Sequence, residues 1–209
     1  MPSIPGDSRT GPGPSGTITT TGSAAVALTF DDGPGAYTAQ VLDLLERYHV
    51  RATFCLIGRQ VAAYAALVRR IVADGDTLCN HTFTHDLWLG TRSPEVIWSE
   101  LRRTSDAIHA VVPKAGSGYF RNPGGNFTPT TIAIARSLGI ASIYWSVDPQ
   151  DWSRPGTEAI ISIVVGRTRP GSIVLMHDGG GDRSQTVTAL RTILPTLTSH
   201  FTLIALPVS

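Results

Sequence analysis

From residue 24 onward, short apolar runs rich in β-branched residues alternate with longer stretches that have apolar positions at helical spacing. Short runs of this kind are typical of buried strands, and their alternation with helical stretches is typical of a parallel sheet covered by helices. Seven runs are predicted to be strands: Val26–Phe30, Ala52–Ile57, Thr77–Asn80, Gly118–Arg121, Ala141–Ser146, Ser172–Met176 and Phe201–Leu206.

The amphipathic stretches between these runs predict six helices. Ser93 and Thr128 each precede a proline, which is the pattern of a capping residue followed by proline at the first helical position. Gly75 marks the end of the second helix. The predicted helices are Tyr37–Tyr48, Gln60–Ala73, Pro94 to about His109, Pro129 to near Gly139, Thr157–Arg167 and Gln185–Thr198.

Strict alternation of seven strands with helices predicts a small α/β barrel that is closed or nearly closed. An open, doubly wound parallel sheet is the alternative that the same pattern allows. In both arrangements the carboxyl ends of the strands lie at one edge of the sheet, where functional residues gather.

The chain has 209 residues, of which 42% are hydrophobic and 16% are charged, and its formal net charge is +1. A chain of this size forms one ordinary domain whose core needs neither a disulfide nor a metal for stability, so a metal site would serve function. The near-neutral charge argues against nucleic acid as a partner, because binding to phosphates needs a basic face. No apolar run approaches the roughly 20 residues of a membrane-spanning helix.

Residues 1–23 are rich in Gly, Pro, Ser and Thr and have almost no large apolar residue. They predict a flexible linker or tail, followed by a catalytic domain over residues 24–209. The segment lacks the basic start and the apolar stretch of a signal peptide. A tail of this composition is common where an export signal has been removed, so we expect a protein that is secreted or attached to the cell envelope.

Cys55 and Cys79, the only cysteines of the sequence, lie in the second and third predicted strands. The even number permits a disulfide if these two strands are neighbours in the sheet. Two buried free thiols fit the sequence equally well. The sequence leaves both arrangements open.

Polar residues with catalytic chemistry follow the predicted strands at the points where the strands end. Because the carboxyl ends of parallel strands meet at one edge, we expect these side chains to converge on one site rather than to be scattered over the surface. The residues are Asp31 and Asp32 after the first strand, Asn80, His81 and His85 after the third, Arg121 at the end of the fourth, Asp148 and Asp151 after the fifth, and His177 and Asp178 after the sixth.

His81 and His85 are four residues apart, so both imidazoles can lie on one face of a helical turn and bind one divalent ion. That spacing alone is modest support for a metal site. Asp31 and Asp32 are adjacent acids, and one of them could simply cap the following loop. Alternatively, one of them is a third metal ligand, because like charges so close repel unless one meets a cation. Asp32, His81 and His85 with open positions suit Zn²⁺, with Co²⁺ or Ni²⁺ as alternatives. The same ligand set describes the facial triad of non-haem iron oxygenases.

Metal-assisted hydrolysis needs a base, an acid and a group that holds the developing oxyanion. Asp31, beside the ligand, is free to act as the base, and Arg121 is suited to pair with it and fix its orientation. His177 can serve as the acid, with Asp151 as the carboxylate that holds its ring. The alternatives for Arg121 and His177 are a structural ion pair and a histidine of the rim without a catalytic role.

Five segments in order, TFDDGP (29–34), HTFTH (81–85), RNPGG (121–125), DPQDW (148–152) and LMH (175–177), resemble the motifs of the polysaccharide deacetylases, carbohydrate esterase family 4, with the NodB homology domain. The resemblance runs from about residue 24 to the end of the chain. It implies a distorted (β/α)7 barrel, incomplete and similar to a TIM barrel. It also implies metal-dependent removal of acetyl groups from sugar polymers.

The resemblance implies a role for each matching residue. Asp31 matches the base, and Arg121 matches the arginine that orients it. Asp151 matches the carboxylate that tunes the acid, and His177 matches the acid itself. The residues that match the metal ligands are Asp32, His81 and His85, and those that resemble the apolar wall of the acetyl pocket are Trp152 and Leu175.

Gly124 departs from the family pattern, which usually has an aromatic residue after the proline of the third motif. The backbone N–H that faces the oxyanion in the family survives this change. The missing ring is expected to widen the substrate groove or to let another aromatic residue, Trp88 or Tyr37, form its wall.

The expected activity is hydrolysis of N-acetyl groups from β-1,4-linked N-acetylglucosamine in chitin, chito-oligosaccharide or peptidoglycan, with release of acetate. An acetylxylan O-deacetylase and a non-catalytic carbohydrate-binding protein are the alternatives. An iron oxygenase is less favoured, because such sites usually lie inside an all-β barrel. The expected partner is the acetylated polysaccharide or oligosaccharide, bound by a monomer.

Overall fold

Parallel strands and helices alternate along residues 11–207, the part of the chain that the computed structural model describes. The strands are β1 (Val26–Asp31), β2 (Thr53–Leu56), β3 (Thr77–Asn80), β4 (Tyr119–Phe120), β5 (Ala141–Ser142), β6 (Ile173–His177) and β7 (Leu203–Ile204). The helices are α1 (Thr38–Arg47), α2 (Gly58–Val61), α3 (Ala65–Ala73), α4 (Pro94–Val111), α5 (Pro129–Ser137), α6 (Thr157–Arg167) and α7 (Ser184–Thr198). Within residues 11–207, no helix combines the length and hydropathy needed to cross a membrane.

All strands of the sheet are parallel, in the spatial order β5-β4-β3-β2-β1-β6, and β7 pairs with the start of β1. The sheet curls into an incomplete barrel. An irregular segment after β5 bridges the remaining gap, because the amide of Leu175 in β6 donates to the carbonyl of Val147 at 2.9 Å. The distorted (β/α)7 barrel predicted from the family resemblance is confirmed, and the open doubly wound alternative is not observed.

The strands bury both faces, which explains their nearly continuous apolar character. Residues such as Val26, Leu28 and Phe30 point outward and pack against the helices. Alternate residues point inward and form a smaller core cluster that includes Ala27 and Ile173. The inward-facing residues at the carboxyl edge are polar, so the functional residues lie directly above the apolar core inside the barrel.

The disulfide between Cys55 and Cys79 lies inside the barrel. β2 and β3 are neighbours, and the two cysteines are paired in register with Cα atoms 4.1 Å apart. Both residues are fully buried. Of the two arrangements that the sequence allows, the structure has the disulfide.

Several predicted elements differ from the observed ones in length. The predicted helix over Gln60–Ala73 is two helices, α2 and α3, separated by a break at residues 62–64. β4, β5 and β7 have two residues each and are shorter than the predicted strands. Thr128 caps α5 through a reciprocal pair of hydrogen bonds with Thr131. Ser93 precedes α4 as predicted, but its side chain makes no capping hydrogen bond to the helix backbone.

Part of the predicted flexible segment, residues 1–23, lies against the barrel. Ile18 pairs with Ile143, and Thr20 pairs with Ser172. Thr17 is fully buried. The β-branched residues from position 17 to position 20 suit such pairing, and the composition of the whole segment conceals them. Residues 1–10 of the predicted tail lie outside the described residues.

Candidate active site

The predicted site residues meet at the carboxyl edge of the sheet. β1 ends at Asp31 and β6 ends at His177, and these two residues are paired in register. β3 ends at Asn80, directly before His81, and β4 is followed directly by Arg121. The alternation of strands and helices therefore brings residues from four distant parts of the sequence to one place.

Asp32, His81 and His85 form a cluster whose potential ligand atoms all lie within 4.8 Å of one another. Oδ1 of Asp32 is 3.3 Å from Nε2 of His81 and 3.1 Å from Nε2 of His85. That oxygen is buried and makes no hydrogen bond that satisfies ordinary geometry. A carboxylate and two imidazoles are ligands that suit a divalent transition metal, and a cation between them would satisfy the unpartnered oxygen, so these residues fit a metal site.

The surroundings keep the carboxyl group of Asp32 in the ionised form that binds a cation. Burial alone would raise the pKa of the Asp32 carboxyl, but its close polar contacts with His81 and His85 and the charges of His81 and His177 outweigh burial and hold that pKa far below its usual value. Nδ1 of His81 donates to the carbonyl of Arg121 at 2.7 Å, which leaves Nε2 directed at the cluster. Contacts of this kind fix both the tautomer and the orientation of a ligand histidine.

A turn, not a helical face, brings His81 and His85 together, and this corrects the geometry expected from their spacing. Thr82 and His85 have left-handed backbone conformations, with φ angles of 65° and 62°. The buried carboxylate of Glu100 in α4 accepts hydrogen bonds from the amides of Phe83 and Thr84 at 3.0 and 2.8 Å. Glu100 therefore holds the turn in a conformation that non-glycine residues rarely adopt.

Arg121 is fully buried, and its guanidinium is hydrogen-bonded to Asp31. Its Nη1 donates to Oδ1 of Asp31 at 2.7 Å and to the hydroxyl of Thr29 at 2.8 Å, while its Nη2 donates to the carbonyl of Tyr144 at 3.0 Å. The other carboxylate oxygen of Asp31 is 3.7 Å from Nε2 of His81. Asp31 is thus held by one oxygen and presents the other to the metal cluster.

His177 and Asp151 form a second buried pair. Nδ1 of His177 donates to Oδ1 of Asp151 at 2.7 Å, and Oδ2 of Asp151 accepts from the backbone amide of His177 at 2.9 Å and from the hydroxyl of Thr186 at 2.7 Å. Burial on its own would lower the pKa of His177, but its hydrogen bond to Asp151 and the charges of Asp151, Asp31 and Asp32 raise it to about 9. The ring is therefore protonated at neutral pH, with Nε2 free to donate.

The predicted substrate-binding residues border this site. Gly124 has a left-handed backbone with φ of 65°, and a Cβ atom there would lie 2.8 Å from Nδ2 of Asn126 and 3.4 Å from Cδ2 of Leu87. Leu175 is buried and precedes His177 by two residues on the inward face of β6. Trp152 follows Asp151 directly in the sequence and is exposed. Tyr37, one of the two aromatic residues expected to replace the missing ring, donates its hydroxyl to Asp182 at 2.9 Å.

Arg183, which is not among the residues predicted from the sequence, joins two loops of the site through its buried guanidinium. Its Nε donates to the carbonyl of Gly179 at 2.6 Å, and Nη1 and Nη2 donate at 3.1 Å to the carbonyls of Trp152 and Gly180. Gly180 lies against Asp32, with no room for a side chain. The only sequence signal is a charged residue after a glycine run, which does not reveal that its partners are backbone carbonyls.

A family model described as polysaccharide deacetylase matches residues 19–143, more than half of the chain. The chain belongs to the polysaccharide deacetylase family. Among curated members of this deacetylase family, a chitooligosaccharide deacetylase from a Bradyrhizobium species is 43% identical over 84% of this chain and 85% of its own length. A peptidoglycan-N-acetylglucosamine deacetylase from Bacillus cereus is 41% identical over 82% of this chain and 81% of its own length.

A solved structure agrees with this polysaccharide deacetylase assignment. A family 4 carbohydrate esterase from Streptomyces lividans, in complex with acetate, has a TM-score of 0.80 and 32% sequence identity, covering 87% of this chain and 91% of that chain. The resemblance to carbohydrate esterase family 4 is therefore confirmed. Polysaccharide deacetylases of this family are metal-dependent, and Asp32, His81 and His85 are the candidate ligands in this chain.

Proposed function

We propose that this protein hydrolyses N-acetyl groups of β-1,4-linked N-acetylglucosamine in chitin, chito-oligosaccharide or peptidoglycan and releases acetate. The substrate class is supported by the relatives named as deacetylases of chitooligosaccharide and of peptidoglycan N-acetylglucosamine. One observation carries the chemistry: the Asp31–Arg121 pair and the Asp151–His177 pair both stand beside the Asp32, His81 and His85 cluster. That arrangement provides a base, an acid and a metal site in one place.

Asp32, His81 and His85 would hold the metal, which we propose to be Zn²⁺, with Co²⁺ or Ni²⁺ as alternatives. Zinc suits one carboxylate and two imidazoles with open positions. When bound, such a cation polarises an acyl carbonyl and makes water more acidic. His81 keeps its ligand nitrogen directed at the cluster because its other nitrogen is bound to the carbonyl of Arg121.

Asp31 is proposed as the general base that removes a proton from the attacking water. Arg121 fixes the orientation of this carboxylate through Oδ1 and leaves Oδ2 facing the metal cluster. His177 is proposed as the general acid, because its protonated ring can give the Nε2 proton to the departing sugar nitrogen while Asp151 holds Nδ1. A base and an acid in separate pairs allow proton removal and proton delivery by different groups.

The backbone N–H of Gly124 is proposed to donate to the oxyanion of the tetrahedral intermediate. Trp152 and Leu175 are proposed as the apolar wall around the acetyl methyl group. Leu175 is almost fully buried, whereas the Trp152 side chain is 54% exposed and available to cover a bound acetyl group. These three residues would determine how the acetyl group is placed between Asp31 and His177.

The alternatives from the sequence remain less favoured. An acetylxylan O-deacetylase would use the same site, but its leaving oxygen needs less help from an acid such as His177. A non-catalytic carbohydrate-binding protein would have no use for the buried Arg121–Asp31 and Asp151–His177 pairs. We further propose that the protein acts as a monomer, secreted or at the cell envelope.

The proposed function predicts acetate release from chitopentaose that exceeds release from acetylxylan by at least about tenfold in kcat/KM. Acetate is measured enzymatically with Zn²⁺ present, and mass spectrometry of the oligosaccharide confirms the loss of acetyl groups. An Asp32→Ala variant purified in the same way gives the background. Activity on acetylxylan alone would establish the esterase alternative, and binding of sugar without release of acetate would establish the non-catalytic one.

A further inference from the structure

Trp88 and Leu87 are exposed apolar side chains close to the candidate active site. The Trp88 side chain is 69% exposed, the highest exposure of any large apolar residue in residues 11–207, and Leu87 is 48% exposed. Both belong to the segment of residues 86–92, called here the Trp88 loop, which begins directly after the candidate ligand His85. An exposed tryptophan beside a binding site indicates a surface that is covered by a ligand.

Hydrogen bonds and packing fix the Trp88 loop. The carboxylate of Asp86 accepts from Nε of Arg92 at 2.6 Å and from the amide of Trp88 at 2.9 Å. The hydroxyl of Thr91 donates to the carbonyl of Trp88 at 2.8 Å. Leu89 is fully buried against the helices. The loop is thus anchored on both sides of Trp88, and the exposure of this indole is part of a defined conformation.

The Trp88 loop also contacts the segment that contains Gly124. The carbonyl of Leu87 accepts from Nδ2 of Asn126 at 3.0 Å, and Cδ2 of Leu87 lies 3.4 Å from the Cβ position of a residue placed at Gly124. The loop therefore borders the site on the side of His85 and Gly124. Trp152, which is also exposed, borders the site beside Asp151 and His177.

We propose that Leu87 and Trp88 form a subsite for the sugar ring next to the one that loses its acetyl group. This inference rests on the proposed function, because it requires a β-1,4-linked N-acetylglucosamine chain as substrate. The ring substituents of such a chain are equatorial, so both faces of each pyranose ring present C–H groups that pack against an aromatic side chain. The Trp88 loop thus provides the apolar wall that an aromatic residue at position 124 would otherwise give.

Trp88→Ala is expected to raise KM for chitopentaose about tenfold, with kcat within about twofold of the wild type, because ground-state and transition-state binding are lost equally. Trp88→Phe keeps an aromatic face and is expected to retain most of the wild-type KM. Trp98→Ala is the matched control, since Trp98 is a 46% exposed tryptophan in α4 to which no role is assigned. Circular dichroism and thermal melting compare the folding of all variants.

Calorimetric titration of chitopentaose into the wild type and Trp88→Ala separates this inference from the proposed function. The subsite predicts a Kd about tenfold weaker in Trp88→Ala and unchanged in Trp98→Ala. If the wild type binds chitopentaose but releases no acetate, the proposed function is contradicted. The subsite is then still tested by comparing the Kd of the wild type with that of Trp88→Ala. Equal KM and Kd in the wild type and Trp88→Ala, or an equal loss in Trp98→Ala, overturns the subsite.

Discussion

Asp31→Asn is expected to lower kcat for acetate release from chitopentaose by about 10³-fold. The amide has nearly the same shape as the carboxylate and can still accept a hydrogen bond from Arg121. In the structure, Nη1 of Arg121 lies 2.7 Å from Oδ1 of Asp31. It cannot accept a proton from water at neutral pH. The rate is measured at saturating substrate with Zn²⁺ present, so that the loss appears in kcat and not in substrate binding.

Two controls keep this prediction specific to the proposed base. The first is Asp43→Asn, which changes a surface carboxylate that pairs with Arg70 and is expected to leave kcat unchanged. The second is thermal melting, because Arg121 is fully buried and loses its charged partner in Asp31→Asn. A folded Asp31→Asn protein with kcat within tenfold of the wild type would exclude Asp31 as the base.

Asp151→Asn is expected to move the alkaline limb of the kcat–pH profile down by about two pH units. In the wild type, the hydrogen bond and charge of Asp151 help to raise the pKa of His177 to about 9, so the ring stays protonated and able to act as an acid up to that pH. The amide side chain of the variant provides no negative charge, whereas the burial that lowers this pKa remains. At pH 8 the variant is therefore expected to lose most of its activity and to recover part of it at pH 6.

The same raised pKa predicts how folding stability depends on pH. His177 has an ordinary pKa of 6.5 and a pKa of about 9 in the folded chain. Its protonated ring therefore stabilises the fold fully below about pH 6.5, and this stabilisation is lost as the pH rises through about 9. Urea unfolding of wild type and Asp151→Asn at pH 6 and pH 9.5 measures this loss. If the alkaline limb of the kcat–pH profile lies at the same pH in both proteins, Asp151 does not raise the pKa of His177.

The alternation of strands and helices was predictable because burial on both sides of a parallel sheet gives strands an unbroken apolar pattern. β3 occupies the predicted residues, and Pro94 and Pro129 begin α4 and α5 as predicted. The convergence of Asp31, His81 and His177 followed from the same alternation, because the carboxyl ends of parallel strands share one edge.

Other features depend on contacts between distant residues and leave no local pattern. The buried carboxylate of Glu100 in α4 accepts hydrogen bonds from the turn that contains His81 and His85. The hydroxyl of Thr29 in β1 accepts a hydrogen bond from Arg121. Arg183 binds backbone carbonyls, which the sequence does not reveal. The disulfide between Cys55 and Cys79 required the knowledge that β2 and β3 are neighbours in register.

Removal and return of the metal tests the central claim most directly, because the proposed reaction depends on a divalent cation at Asp32, His81 and His85. The protein is dialysed against a chelator until elemental analysis detects no bound metal, and acetate release from chitopentaose is followed as Zn²⁺ is added back. We predict loss of at least about 99% of the activity, its recovery at one equivalent of Zn²⁺, and no recovery in Asp32→Ala. Full activity of the metal-free protein would contradict the account.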